Sequence, residues 1–330
     1  MALDPIIQAM VDSSRASGRA DTIADGTVEQ GRQAYLLLRA VGGDDAPVAS
    51  VADRVVPGPS GDIPIRVYTP LGDGPFGLCV YFHGGGFTIG SVDGHDPVTR
   101  RLAHEAGVVV VSVDYRLAPE HPFPAAVDDA WAALQWTAAH AEELGCVPGA
   151  VAVGGDSAGG CLAAVVSLLA RDAGGPAIAQ QLLIYPTTDA RADRGDAYPS
   201  IEENAEAPFL PKVTIEWFGD HYKADEDDWR ASPILAADLS GLPTAHVVTA
   251  QYDPLRDEGE AYAARLKEAG VPVTVTRYPT MPHVFVQMWG VLPAAKECMS
   301  ELAGVLRGAF SRFVDSPSGS PVEGAHLTAP

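Results

Sequence analysis

Basic residues are scarce. Lysine and arginine together number 22 against 43 aspartates and glutamates, which leaves a net charge of −21. That balance excludes nucleic acid and anionic membrane surfaces as partners, because both reward basic patches. It also repels anionic substrates at long range, so a small neutral substrate is expected. Cysteine is scarcer still: Cys79, Cys146, Cys161 and Cys298 lie far apart, with no Cys-x-x-Cys and no paired Cys/His spacing. A disulfide framework or a zinc site is therefore not expected, and Cys79 and Cys161, set in apolar runs, are expected to be buried as small hydrophobes. No apolar run reaches the roughly 18 residues of a membrane span. No basic segment leads into an apolar core near Asp4, and no internal repeat is present. The expected setting is a reducing, cytoplasmic one without membrane insertion.

What remains is 330 residues, 47% hydrophobic and 20% charged, enough for one large α/β domain or two smaller ones. Residues 1–45 have helical spacing at Ile6, Ile7, Met10 and Val11 and again over Val28–Leu38. The break Gly42-Gly43-Asp44-Asp45-Ala46-Pro47 follows, then two strands, Val48–Val56 and Ile63–Tyr68, around a Pro/Gly turn. From there strands and helices alternate. Strands are expected at Gly77–Phe82, Val108–Val113, the run ending at Asp156, Gln181–Tyr185, His246–Ala250 and Val273–Tyr278. Helices are expected at Val98–Ala106, Ala125–Leu144, after Ser157, at Asp257–Ala269 and at Pro293–Phe313. Short, wholly apolar strands between helices predict a mostly parallel sheet covered on both faces. Residues 188–230 interrupt the alternation and are too long for a structureless loop, so they are expected to form a helical insertion that packs with the N-terminal helices. The Ser/Pro/Gly-rich stretch 315–330 is expected to be a mobile tail.

The chemistry centres on Gly155-Asp156-Ser157-Ala158-Gly159, the one Gly-x-Ser-x-Gly in the chain. An apolar strand precedes it and a helix follows, the context of a nucleophile elbow. A serine nucleophile needs a base and a group that orients the base. Asp253 lies just past one late strand and His283 just past the next, so all three side chains are expected at the same sheet edge. Asp257, the rival acid, falls in the first turn of a helix, where a carboxylate suits the helix dipole. His95, His104, His121, His140, His221 and His326 fall in helices, the insertion or the tail and are expected to be solvated, while His246 starts a strand at the opposite edge. His83 opens the loop His83-Gly84-Gly85-Gly86-Phe87 and is assigned to shaping it. Backbone N–H groups of Gly84, Gly85 and Ala158 are the expected donors to an oxyanion. A phosphate loop is excluded there, since no Lys-Ser/Thr pair follows. No cofactor is expected.

These residues, with Tyr115-Arg116-Leu117-Ala118-Pro119-Glu120-His121-Pro122-Phe123-Pro124-Ala125 and Asp253-Pro254-Leu255-Arg256-Asp257, resemble the hormone-sensitive-lipase-like family of α/β-hydrolase carboxylesterases. The likeness runs from about residue 50 to 310. It implies an α/β-hydrolase fold with a twisted, mostly parallel sheet of about eight strands. It further implies a core of residues 46–187 and 231–314, with a helical cap of residues 1–45 and 188–230. Ser157 would be the nucleophile, His283 the base and Asp253 the orienting acid, acting on short- to medium-chain acyl esters. Two other readings use the same framework: a catalytically silent small-molecule-binding protein, and an amidase or lactonase with the same triad. Val284 departs from the family, in which glycine often follows the histidine. The exposed edge at Val273–Tyr278 offers a surface for a homodimer.

Overall fold

Val108–Val113 is apolar except for Ser112, and all six residues are buried; they form strand β4. A strand buried on both faces needs partners on both sides and helices above and below. The computed structural model, which describes residues 2–17, 22–191 and 194–314, supplies both. Strand β4 lies between β2 (Gly61–Thr69) and β3 (Phe76–Phe82). The sheet continues with β1 (Ser50–Gly58), β5 (Cys146–Asp156), β6 (Gln180–Ile184), β7 (Thr244–Tyr252) and β8 (Val273–Pro282), in the order β1-β2-β4-β3-β5-β6-β7-β8. Pairing is antiparallel from β1 to β2 and from β2 to β4, and parallel elsewhere.

Alternation along the strands divides the core. Leu78, Val80 and Phe82 of β3 face one side, with α4 (Ala125–Ala139), α5 (Ala158–Asp172) and α8 (Arg256–Glu268). Cys79 and Tyr81 face the other, with α3 (Asp96–Ala106) and α9 (Pro293–Val314). All four cysteines are free and buried, Cys79 and Cys161 as expected from their apolar runs.

The N-terminal segment forms α1 (Pro5–Ala16) and α2 (Val28–Leu36). The insertion is less helical than expected: its α-helices are α6 (Ser200–Glu203) and α7 (Lys212–Tyr222). Pro199, Pro208 and Pro211 explain this, since a proline interrupts the helix that would precede it. The two segments meet where the hydroxyls of Thr22 and Thr214 lie 2.5 Å apart. The insertion's ends are pinned together, Ala190 N–H donating to Ser232 Oγ at 2.8 Å and Ile234 N–H to Thr188 O at 3.1 Å. Helix α4 stops at Ala139 rather than Leu144. The chain closes there through turns onto Gly145, whose φ of +75° a helix cannot accommodate. The expected tail, 315–330, lies outside the described residues.

Candidate active site

Strand β5 ends at Asp156 and α5 begins at Ala158, so a single residue, Ser157, makes the turn. Its φ of +57° and ψ of −119° are unusual for a residue with a side chain. The glycines around it are sterically required. A Cβ on Gly155 would lie 2.5 Å from the Phe82 carbonyl oxygen, and a Cβ on Gly159 would strike that same oxygen. The strand, the helix and the end of β3 therefore approach each other through bare backbone. The turn is held by Ser157 N–H donating to Ile184 O at 2.8 Å.

Asp253 follows β7 and His283 follows β8, both at the edge where Ser157 sits. His283 Nε2 is 2.9 Å from Ser157 Oγ, and His283 Nδ1 is 2.6 Å from Asp253 Oδ2. The other Asp253 oxygen accepts the Leu255 N–H at 2.8 Å, which fixes the carboxylate plane. Ser157 is 8% exposed, His283 2% and Asp253 0%. The Tyr185 ring lies 4.6 Å from the imidazole, tilted by 55°. The rival Asp257 faces elsewhere, accepting the Ser200 N–H and pairing with Arg256.

His83 is fully buried, stacks on Tyr115 at 4.3 Å and contacts the Gly84 carbonyl through Nδ1. Burial, and next the His95 imidazole facing it, push its pKa down to about 3. It is neutral at ordinary pH and serves the loop's shape. The following glycines differ from one another. Gly84 N–H is spent inward, 3.1 Å from Asp156 Oδ1 and 3.3 Å from His95 Nε2. Gly85 and Gly86 have φ of +119° and +56°. A Cβ on Gly86 would fall into the ring of Phe218 from α7, and the neighbouring Phe87 stacks on Tyr222 of the same helix at 4.0 Å.

One expectation for histidine needs correction. His95 is fully buried, at the N-terminus of α3, which begins directly beneath the glycine loop. Helical periodicity alone cannot reveal that contact. His246 sits near the start of β7, as expected, buried and 3.1 Å from Glu301. Sequence reasoning also overlooked Asp156, the variable residue of the Gly-x-Ser-x-Gly. Its carboxylate, buried at the end of an apolar strand, meets Tyr81, Gly84, His95 and Gln287. The available signal was a charged residue where burial was certain.

A family model for the α/β-hydrolase fold matches residues 79–287. The chain is 44% identical to carboxylesterase NlhH of Mycobacterium tuberculosis over 317 residues, covering 93% of this chain and 96% of that one. It is 39% identical to an ethyl acetate hydrolase of Pseudomonas putida, covering 71% and 75% of the two chains. The solved structure of a hyperthermophilic esterase from Pyrobaculum calidifontis superposes with a TM-score of 0.85 at 42% identity, over 95% of this chain and 100% of that one. With an elbow serine, a late-strand histidine and a glycine loop already at one sheet edge, these likenesses agree: the chain belongs to the α/β-hydrolase family, in its hormone-sensitive-lipase-like group of carboxylesterases.

Proposed function

We propose that the protein hydrolyses short- to medium-chain acyl esters, with Ser157 as nucleophile, His283 as base and Asp253 as the group that orients the base. The observation that carries this is the unbroken contact from Ser157 Oγ through both ring nitrogens of His283 to Asp253. Ser157 Oγ attacks the ester carbonyl as His283 Nε2 takes its proton. The imidazolium then protonates the departing alcohol. Water, deprotonated by the same nitrogen, releases the acid from the acyl-enzyme and restores Ser157. Asp253 holds the tautomer with the proton on Nδ1 and stabilises the imidazolium.

For the oxyanion we assign the N–H groups of Gly85, Gly86 and Ala158. Gly84, expected from the sequence to be a donor, has its N–H occupied by Asp156, and this argues for moving the pair one residue along. Residues 1–45 and 188–230 act as the cap, and α7 rests on the glycine loop through Phe218 and Tyr222. Aromatic rings so close to the reacting centre favour a compact, neutral ester. The likeness to an ethyl acetate hydrolase supports the same size range. The open edge of β8 is the surface through which two copies would pair, and the four buried free thiols suit a reducing, cytoplasmic setting. Among the described residues no helix is long and apolar enough to cross a membrane.

The test is a series of p-nitrophenyl esters from acetate through butyrate and caprylate to palmitate. Highest kcat/KM is expected at acetate to caprylate, and a maximum at palmitate emulsions would overturn the size assignment. Light scattering reads the assembly, with a dimer expected and a monomer contradicting the edge pairing.

A further inference from the structure

Asp156 has no part in the proton relay, yet it is the most heavily engaged carboxylate near it. It is 1% exposed. Its two oxygens divide their partners cleanly. Oδ1 accepts the Tyr81 hydroxyl at 2.8 Å and the Gly84 N–H at 3.1 Å, while Oδ2 lies 3.3 Å from His95 Nε2 and 3.4 Å from Gln287 Nε2. Gly84 is fitted to it sterically as well, since a Cβ there would sit 2.5 Å from Oδ2 and 2.9 Å from the Asp156 carbonyl oxygen. Gln287 belongs to the 3-10 turn Phe285–Met288, which begins two residues after His283, and the same amide nitrogen donates to the Tyr35 hydroxyl of α2 at 2.5 Å. The Tyr35 ring in turn lies 5.9 Å from that of His95.

We propose that Asp156 is a positioning residue for the reaction: its carboxylate sets the separation between Ser157 and the oxyanion-binding loop, and Gln287 and Tyr35 tie that separation to the seating of α2. Asp156 is joined to the nucleophile by a peptide bond and to the glycine loop by a charge-assisted hydrogen bond, a kind stronger than a neutral one. By taking up the Gly84 N–H it locks the first glycine inward and presents the next two to the substrate. Desolvating a carboxylate is costly and must be offset by the bonds it makes, and an aliphatic side chain would fill the same strand end without that cost. The link through Gln287 means that the base loop, the oxyanion loop and the N-terminal part of the cap share one anchor, so a displaced α2 would be felt at the glycine amides.

This inference rests on the serine-esterase reading, and the experiment separates the two. Turnover of p-nitrophenyl acetate by the full wild-type chain, lost in Ser157→Ala, tests that reading by itself. For the positioning role, Asp156→Ala is expected to lower kcat by about 10²-fold and Asp156→Asn, which keeps an acceptor for Gly84, by about tenfold, with KM changed by less than about threefold. Binding of a trifluoromethyl ketone, which forms a tetrahedral adduct with a serine, should weaken by the same factors as kcat/KM. Gln287→Met and Tyr35→Phe should each lower kcat by a few-fold without raising KM. If Asp156→Ala does not fold, the Asn, Gln287 and Tyr35 variants decide the matter. Wild-type kcat in the folded Asp156 variants, or losses that appear only in KM or in the folded fraction, would overturn the proposal. Wild-type kcat in both Gln287→Met and Tyr35→Phe would remove the link to α2.

Discussion

Asp253 Oδ2 meets His283 Nδ1 at 2.6 Å in a site where neither side chain is more than 3% exposed. An amide in place of that carboxylate keeps the shape but can hold the imidazole in the wrong tautomer, with its proton facing Ser157. Asp253→Asn is therefore expected to lower kcat by about 10³- to 10⁴-fold with little change in KM. Steady-state kinetics on p-nitrophenyl butyrate reads this, and a loss below tenfold would move the acid elsewhere.

Gly86 should not tolerate alanine. Its φ of +56° would strain any side chain, and the Phe218 ring occupies the space. The backbone penalty alone is about 1–3 kcal/mol. Gly86→Ala should lower both Tm and kcat, and adding Phe218→Ala should recover part of the Tm by opening room above the loop. A double variant no more stable than Gly86→Ala would show that the ring contact is not what excludes the methyl group.

Arg32 of α2 donates to the carbonyls of Thr88 at 3.1 Å and Ala118 at 3.0 Å, besides pairing with Glu120. The carbonyl bonds join the N-terminal segment to the glycine loop, whereas the Glu120 carboxylate is 54% exposed and its pairing is screened by water. Arg32→Ala should therefore cost about 1–3 kcal/mol, and Glu120→Gln no more than about 1 kcal/mol. Thermal melts of the two variants test the order, and equal losses would contradict it.

Glu301 of α9 gathers His246, Thr276 and Tyr278 beneath the last two strands. Burial opposes its ionisation. The His246 imidazole beside it, and hydrogen bonds from Thr276 and Tyr278, outweigh that and hold the carboxyl at about 2. A carboxyl depressed in the folded state adds stability above its unfolded pKa, roughly 4.3, and loses it as pH falls toward the folded value. Wild type should thus exceed Glu301→Gln in Tm above about pH 5, and the gap should close as pH drops from there to about 2. A gap that is constant across that range would contradict the assignment.

Much of this fold was legible because its strands are short apolar runs bounded by Gly, Pro and charged residues. Val108–Val113 coincides with β4, and the other strand expectations differ from the observed ones mainly at their ends. The order of Ser157, Asp253 and His283, each after a strand, was sufficient to bring them to one edge. What stayed hidden depends on contacts between distant segments. His95 looks like a surface residue until α3 is docked under the glycine loop, and the inward bond of Gly84 exists only because Asp156 lies beside it. The insertion was judged by its length, while its prolines limited how much of it could be helical. Val284 adopts φ of +59°, the left-handed region in which glycine is free and a β-branched residue is strained, so the departure from the family carries a conformational cost.

The central claim is that Ser157 is the nucleophile. Intact-mass and peptide mass spectrometry after treatment with a p-nitrophenyl alkylphosphonate tests it most directly, since such a reagent phosphonylates an activated serine and releases nitrophenol. One phosphonyl group per chain, carried on the peptide containing Ser157 and absent from Ser157→Ala and His283→Ala, is the predicted result. A label on another residue, or a Ser157→Ala variant that still hydrolyses esters at the wild-type rate, would contradict it.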